Sequence, residues 1–446
     1  MKKCFNLSFI SFAIFLCVSC VSTPGQHIPS IQNAKTGEYS KSINYIEKNQ
    51  NKLYGKKNRV LYNLDSGLLY HYNHDFSNSI SRLSTAEKDI YTLYTKSISA
   101  EIASFIINDN VLEYSGEDYE DIYLNVFNSL NYFFEDKTED ALVETNRAIN
   151  KIRTIMAKYE PELQKARKAA EMKETKIDSI AFHDSALVEY LSMLYRRQLG
   201  DFDGAFTNQR MINDAFLTQK KLYNFACPSS IQEELSVPKN MARLNVVSFT
   251  GLSPIKDEII IRDYGYANYT FALALPELIR SEYPFSKIII TAKNSATGKT
   301  VSQPLELLES MENVATETFI LHRSVIYAKA IARSISKAIG STLGDAVGQK
   351  LSESDDSDLQ AAGLILQFFS LAGRITNQII EHADMRISRY FPARASVCGI
   401  TLEPGFYDIK IDYYDKAGKL SHSDVRQNFE LKSENLNLIE SVKLGK

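Results

Sequence analysis

The sequence predicts a multidomain α + β protein in which an α-helical array is followed by a β-sandwich with an inserted helical hairpin. Three observations predict this fold class. A turn phrase recurs four times in the first half of the chain, the apolar pattern becomes alternating after about residue 240, and small residues recur at every fourth position over 332–348. Hydrophobic residues make up 44% of the chain and charged residues 24%, which is typical of globular proteins.

The first twenty residues predict an export signal for a bacterial lipoprotein. Two lysines near the start are followed by an almost unbroken apolar run over residues 5–18, and the small residue Ser19 then precedes Cys20. The run is too short to span a bilayer, so residues 1–19 are interpreted as a signal peptide that is removed. Cys20 is the predicted lipidation site, with palmitate among its acyl chains. Ordinary secretion with a coincidental cysteine is the alternative.

This signal predicts a location rather than an activity. Val21, and not Asp, follows the predicted lipidation site, which in enteric bacteria favours sorting to the outer membrane; we therefore predict an outer-membrane protein that faces the periplasm. The net charge of −3 becomes −5 when the two signal lysines are removed. No nucleic-acid partner is predicted, because such a partner calls for a basic excess. Of the remaining cysteines, Cys227 and Cys398 either form a disulfide or stay free thiols.

The N-terminal half repeats one short phrase four times. Each copy has a turn residue, an aromatic residue or Thr two positions later, and a small residue five positions after the first. The copies begin at Gly37, His74, Asp136 and Gly200, and their small residues are Ser42, Ser79, Ala141 and Ala205. This order is typical of the turn between the two antiparallel helices of a tetratricopeptide (TPR) unit. It predicts a TPR-like helical array over residues 35–225.

The spacing of the phrase predicts extra helices within this array. Successive small residues are 37, 62 and 64 positions apart, whereas the TPR period is about 34 residues. Longer segments therefore separate the later units, and the charged stretch 151–176 is interpreted as a solvated helix. A helical bundle without the TPR superhelix is the alternative.

After about residue 240 the apolar residues alternate with polar ones, as in half-buried strands. Strand-like segments occur at 244–249, 287–291 and 406–414, and glycine or proline marks turns near them. These segments predict a small β-sandwich. The predicted order of segments is a tether (20–34), the helical domain (35–225), a linker (226–240), the sandwich (241–304 and 387–446) and a helical hairpin inserted between its two parts (305–386).

The predicted insertion contains a series of small residues at every fourth position. These are Ala332, Ser336, Gly340, Gly344 and Gly348. The spacing places them on one face of a helix, where a second helix is able to approach closely. Packing within one hairpin is the preferred explanation, and contact between copies of the chain is the second. Membrane insertion is the least favoured, because the most apolar piece, residues 361–372, is too short to span a bilayer.

Two groups of residues resemble a family of bacterial lipoproteins whose function is uncharacterised. The first group comprises residues 114–120, 129–132 and 141–144, and the second comprises residues 383–386, 391–392 and 402–405. The resemblance spans most of the mature chain. It implies N-terminal TPR-like repeats, a C-terminal β-rich domain and an envelope location, without an established activity. The position of an expected tryptophan holds Ser388, and the chain contains no tryptophan.

The sequence contains no catalytic, metal-binding or cofactor-binding pattern that we recognise. The seven histidines form no zinc motif, and the segment 298–300 lacks the upstream glycine and the following helix of a phosphate-binding loop. The acidic segment 116–121 is interpreted as the cap and first turn of a helix. A site for calcium or a basic peptide is the alternative. We therefore predict neither an enzyme nor a bound cofactor.

The predicted function is protein binding, as a scaffold or assembly factor of the cell envelope. TPR arrays bind peptides or helices on the concave surface formed by their first helices. The residues predicted on that surface are Asn63, Tyr70, Asn125, Asn128 and Tyr132. The predicted partners are envelope proteins, together with the membrane that holds the lipid anchor. An export or pore-associated component that self-associates through the small residues of 332–348 is the alternative.

Overall fold

The structure, a computed structural model, describes residues 24–99, 112–171, 181–266, 269–320 and 383–446. Helices dominate the first half of the chain and β-strands the second, which confirms the predicted mixed α/β composition. Several predicted features lie outside the described residues: the signal peptide (1–19), the lipidation site Cys20, and residues 321–382 of the helical insertion, which include the small residues of 332–348.

Within the described residues, most α-helices form neighbouring pairs. The helices are α1 (Ile28–Lys35), α2 (Tyr39–Lys48), α3 (Gln50–Leu53), α4 (Arg59–Tyr72), α5 (Phe76–Ser99), α6 (Asp118–Phe134), α7 (Thr138–Glu171), α8 (Ala186–Gln198) and α9 (Phe202–Thr218). They give four helical hairpins, α1–α2, α4–α5, α6–α7 and α8–α9, and each hairpin contacts the next. Short 3-10 helices occupy Pro24–His27 and Ser229–Glu233, and residues 311–320 are helical.

The four repeated phrases form the turns of the four hairpins. The first residue of each phrase has a positive φ angle, which is 86° at Gly37, 60° at His74, 58° at Asp136 and 78° at Gly200. A residue in this left-handed conformation ends one helix and reverses the chain direction. The small residue of each phrase is fully buried. The phrase therefore combines a turn with a site of close packing.

The second hairpin shows how closely its two helices pack at Gly67. A Cβ atom added to Gly67 of α4 would lie only 2.6 Å from Cδ2 of Leu83 in α5. The Ser79 hydroxyl donates a hydrogen bond of 2.8 Å to the carbonyl oxygen of Gly67, twelve residues earlier. Ser42 makes the corresponding bond of 2.7 Å to the carbonyl oxygen of Ser30. The first two hairpins therefore pack in the same register.

The strands of the second half form two four-stranded sheets and one long hairpin. They are β1 (Ala242–Thr250), β2 (Ile255–Tyr266), β3 (Tyr269–Ile279), β4 (Phe285–Asn294), β5 (Thr300–Pro304), β6 (Glu306–Ser310), β7 (Arg394–Leu402), β8 (Gly405–Asp415), β9 (Leu420–Leu431) and β10 (Asn437–Lys443). The inner sheet has the order β10-β1-β7-β6 and the outer sheet the order β5-β4-β8-β9, while β2 pairs with β3. Strand β10 runs parallel to β1, and the other pairs are antiparallel.

The inner sheet lies between the helices and the outer sheet. All nine residues of β1 are buried, because its two faces contact different layers. Val247 and Phe249 belong to the core formed with the helices, and the ring of Phe249 lies 5.0 Å from that of Phe127 in α6. Leu244 and Val246 belong to a second core, formed with the outer sheet. The helical half and the inner sheet therefore share one hydrophobic core.

Three segments differ from the predicted boundaries. Helix α1 occupies the predicted tether, because Ala34 is buried and Ser30 packs against α2. Strand β6 occupies the predicted start of the helical insertion, since pairing with β7 outweighs the helix propensity of this Leu- and Glu-rich segment. The predicted linker contains a 3-10 helix whose Ile231 is buried in the core of the helices.

The close approach at Gly67 permits a test of hairpin packing. Gly67→Ala is expected to lower the free energy of unfolding by about 1–3 kcal/mol, because overlap with Leu83 outweighs the gain in helix propensity. In a Leu83→Ala background the same substitution is expected to be neutral or stabilising, since the space is then empty. Chemical denaturation of the wild type, the two single variants and the double variant measures the coupling. Additive effects would contradict the described packing.

Candidate functional site

The first helices of the last three hairpins face the inner sheet rather than solvent. Most residues of α4, α6 and α8 are buried. The Tyr72 hydroxyl of α4 donates to the carbonyl oxygen of Tyr390 at 2.8 Å, and the Asn245 amide of β1 donates to the Tyr190 hydroxyl of α8 at 3.0 Å. The surface predicted to receive a partner is therefore covered by the protein's own β-rich half.

The three asparagines predicted on the partner surface are buried. Asn63 is 4% exposed, and Asn125 and Asn128 are fully buried. The Asn125 amide donates to Glu144 of α7 at 2.5 Å and to Glu87 of α5 at 3.0 Å, so it joins α6 to both neighbouring helices. In this arrangement the asparagine side chains do not reach a partner at the surface.

The two predicted tyrosines are half-buried. Tyr70 donates a hydrogen bond of 3.3 Å to Glu47 of α2, and burial together with this carboxylate raises the pKa of Tyr70. Tyr132 lies at the equivalent position of the third hairpin, nine residues before its small residue. The structure thus separates the predicted set into three buried amides and two partly accessible phenols. A partner-binding role for these residues stays a prediction.

A polar pair at equivalent positions of the third and fourth hairpins was missed at the sequence level. Asn125 and Glu144 lie 16 residues before and 3 residues after the small residue of their turn, and Glu189 and Asn208 hold the same positions in exchanged order. In both hairpins the amide donates to the carboxylate at 2.5 Å. Burial raises the pKa of Glu189 to about 7 and also raises that of Glu144. Alignment of the four phrases identifies this pair. A search for identical residues does not, because Asn and Glu exchange positions between the two hairpins.

A buried carboxylate joins β6 to two of the first helices. Glu309 accepts hydrogen bonds from the Tyr123 hydroxyl of α6, the Ser185 hydroxyl at 2.8 Å, the Leu187 backbone N–H at 2.8 Å and the Tyr223 hydroxyl at 3.0 Å. Ser185 and Leu187 lie at the N-terminus of α8, where the helix dipole favours a negative charge. Burial raises the pKa of Glu309, and the four hydrogen bonds oppose that rise. Glu309 therefore anchors the inner sheet to α6 and α8.

The two groups of residues that carry the family resemblance meet at the N-terminus of α6. Glu120 accepts hydrogen bonds of 2.7 Å from the Tyr114 hydroxyl and 2.8 Å from the Glu117 backbone N–H. Its second oxygen accepts a bond of 2.5 Å from the backbone N–H of Ser388. Burial, together with the charge of Glu117, raises the pKa of Glu120 to about 7. The acidic segment therefore caps α6 and also binds the second group.

Ser388, at the position of the expected tryptophan, is buried and hydrogen-bonded through its side chain as well. Its hydroxyl donates to Asp65 of α4 at 2.7 Å, and Asp65 also accepts from the Tyr54 hydroxyl at 2.9 Å. The ring of Phe391 fills apolar space nearby and lies 5.8 Å from the ring of Tyr119. The second group therefore joins α4 to α6 through both polar and aromatic contacts.

Two ion pairs flank the contact between these groups. The Lys256 ammonium group of β2 lies 2.5 Å from the Glu117 carboxylate, and both side chains are largely buried. Arg386 lies 2.6 Å from Asp384, and its guanidinium is 5.4 Å from the centre of the Tyr114 ring. Their partners lie within the protein, so these charges join segments of the chain to one another.

The last hairpin exposes an apolar surface. The equivalent position of the second hairpin is instead in contact with the next hairpin. Phe202, Phe206 and Leu217 of α9 are 49%, 50% and 66% exposed. They lie four and eleven residues apart, which places them on one side of the helix. Phe76, at the position of the second hairpin equivalent to Phe202, stacks on Phe134 of the next hairpin at 5.2 Å. We call these three residues the α9 face, and it is the most open candidate site in the described part of the array.

Comparison of the chain with protein-family models, curated proteins and solved structures finds no match to any of them. Among the described residues, no helix is both long and apolar enough to cross a membrane. The same residues contain no group of three or more His, Cys, Asp or Glu side chains placed to hold a metal ion. Cys227 and Cys398 are free thiols, and burial raises their pKa values to about 11 and about 12.

The donors around Glu309 permit a test of how the two halves are joined. Glu309→Leu is expected to lower the free energy of unfolding by about 3 kcal/mol or more, because four buried donors lose an acceptor. Glu277→Leu, at an exposed glutamate of β3, is the control and is expected to change it by less than about 0.5 kcal/mol. Urea denaturation followed by circular dichroism measures both values. Similar losses for the two variants would contradict the anchoring role of Glu309.

The raised pKa of Glu120 predicts a pH-dependent contribution to stability. Because the folded-state value of about 7 exceeds the ordinary value of 4.5, the folded protein binds this proton more tightly than the unfolded chain does. The resulting stabilisation is present below about pH 4.5 and is lost as the pH rises through 7. The stability of the wild type relative to Glu120→Gln is therefore expected to fall by roughly 2–3 kcal/mol between about pH 5 and pH 8.

Denaturation midpoints of the two proteins across this pH range provide the measurement. The control is Glu282→Gln, which changes an exposed carboxylate paired with Lys416 and is expected to keep a constant difference from the wild type. A constant difference for Glu120→Gln as well would show that Glu120 is ionised in the folded protein throughout the range.

Proposed function

We propose that the protein is a lipid-anchored scaffold or assembly factor of the cell envelope, exported by its signal peptide and acylated at Cys20. Its four hairpins are proposed to form a TPR-like array, and its two four-stranded sheets a β-sandwich. The shared turn geometry and the common packing register of the first two hairpins support the array. Core residues contributed by both sheets support the sandwich. The proposed role is binding rather than catalysis.

The α9 face is the observation that carries this proposal. In repeat proteins each unit contacts its neighbours, and the terminal units require a polar outer surface to remain soluble. The last hairpin instead exposes Phe202 and Phe206. Clustered apolar residues on a surface mark interaction sites. The proposed occupant is an amphipathic helix of an envelope protein, which packs on α9 as the first helix of a fifth hairpin would.

The inner side of the array is a weaker candidate for partner binding. A partner on α4, α6 and α8 would have to displace the inner sheet. That displacement would break the hydrogen bonds between Glu309 and the donors at the N-terminus of α8. Breaking a buried charged contact costs several kcal/mol. The proposed binding surface is therefore at the end of the array rather than on the side formed by its first helices.

Substitutions on α9 test the proposed binding surface. The tagged full-length lipoprotein is captured from gently solubilised envelopes as the wild type and as Phe202→Glu/Phe206→Glu. We expect a stoichiometric partner with the wild type and at least about a tenfold reduction with the variant, because a docked helix would bury two carboxylates. Leu420→Glu/Val425→Glu, at exposed residues of β9, is the matched control and is expected to retain the partner.

The other outcomes separate the competing surfaces. Equal recovery of the partner with the wild type and both double variants would contradict binding at the α9 face. Loss of the partner with Tyr70→Ala/Tyr132→Ala, but not with the α9 variant, would instead place binding on the side first predicted. Recovery of further copies of the chain and of no other protein would favour self-association over a scaffold role.

A further inference from the structure

The first hairpin carries a group of exposed lysines at the end of the array nearest the expected lipid anchor. This lysine patch comprises Lys48, Lys52, Lys56 and Lys57. All four lie between the end of α2 and the start of α4, and none forms an ion pair with another described residue. Glu47, the carboxylate in the same stretch, pairs instead with Arg82 of α5 at 3.1 Å. The patch is therefore a local concentration of positive charge among the described residues.

Contacts within the first hairpin place the patch beside the start of the described chain. The Tyr45 hydroxyl donates to the carbonyl oxygen of Gln26 at 3.0 Å, and the ring of His27 lies 5.2 Å from that of Tyr54, within the patch segment. Pro24, where the first 3-10 helix begins, is four residues after Cys20. Four residues span at most about 14 Å, so an acyl group on that cysteine would hold the patch close to the bilayer.

The charge of the patch is opposite to that of the protein as a whole. The full chain has a net charge of −3, so its average surface is repelled by an anionic membrane. Four lysines within ten residues reverse this locally. A polybasic segment next to a lipid anchor reinforces membrane attachment, and each lysine near an anionic surface strengthens binding by about fivefold.

We infer that the lysine patch binds the anionic phospholipid headgroups of the leaflet that holds the anchor. This inference rests on the proposed lipidation of Cys20, and it is independent of the α9 face. Ile28, which is 54% exposed and directly follows the first 3-10 helix, adds an apolar contact at the same end. Binding through the patch places the first hairpin at the bilayer. The last hairpin, which carries the α9 face, is then the hairpin farthest from the first in the series.

Vesicle sedimentation with an unacylated chain tests whether the patch itself binds lipid headgroups. The full chain carrying Cys20→Ala is mixed at low salt with vesicles of phosphatidylcholine alone, or with vesicles that also contain phosphatidylglycerol. We expect binding to the anionic vesicles that is at least about tenfold stronger than to the neutral ones and that weakens as salt is added. Lys52→Glu/Lys56→Glu/Lys57→Glu is expected to reduce binding to the anionic vesicles by at least about tenfold.

A charge-matched control separates the patch from a general effect of net charge. Lys293→Glu/Lys299→Glu/Lys419→Glu changes three exposed lysines of the outer sheet and its turns, and it is expected to retain binding. Circular dichroism establishes that each variant is folded. Equal losses in the two triple variants, or equal binding of the parent chain to neutral and anionic vesicles, would overturn the inference.

The outcome is distinguishable from failure of the proposed function. The vesicles contain no partner protein, so binding to them does not depend on Phe202 or Phe206. Lipidation is tested separately, by retention of the wild type in the membrane fraction of cells and its release with Cys20→Ala. The patch could bind vesicles while the α9 variant captured the partner as well as the wild type did. That combination would contradict partner binding at the α9 face and would support membrane binding by the lysine patch.

Discussion

The arrangement of the two halves depends on buried carboxylates that find their hydrogen-bond partners across the interface between them. Glu309 extends from β6 to the N-terminus of α8, and Glu120 of α6 accepts from the backbone of Ser388. Glu440 of β10 lies 2.8 Å from His71 of α4. Apolar contacts tolerate sliding, whereas a buried carboxylate that loses its donors costs several kcal/mol. These bonds therefore hold the inner sheet at one position on the helices, and aromatic side chains fill the space between them.

The need to pair these buried carboxylates also determines which surfaces a partner protein is able to reach. The inner sheet contacts α4, α6 and α8, and its carboxylates Glu440 and Glu309 find hydrogen-bond partners on the helical side of this contact. A second protein would have to supply equivalent hydrogen-bonding groups, including carboxylate acceptors, at the same positions in order to replace it. The α9 face carries no such requirement, because Phe202, Phe206 and Leu217 are apolar and need only a complementary surface. The energetic cost of access, rather than the shape of the array, therefore favours the end of the helical series.

Sequence patterns predicted the local features of this fold and not its long-range contacts. The hairpin turns were predictable because a left-handed residue and a buried small residue lie within six positions of each other, as at Gly200 and Ala205. The bond between Glu120 and Ser388 joins residues 268 positions apart, and no periodicity marks such a pair. The exposure of Phe202 was also not predictable from its motif, because the motif is the same whether or not another hairpin covers it.

The shared core also determines how a membrane-bound end would influence a distant one. A series of hairpins in which each contacts only the next is flexible along its length. Here the inner sheet bridges the series, since Glu440 contacts α4, Phe249 contacts α6 and Asn245 contacts α8. Bending the helical series would break contacts to the sheet at several positions at once. The lysine patch and the α9 face are therefore held in a fixed relation, so that orientation of the first hairpin on a bilayer sets the direction in which the last one faces.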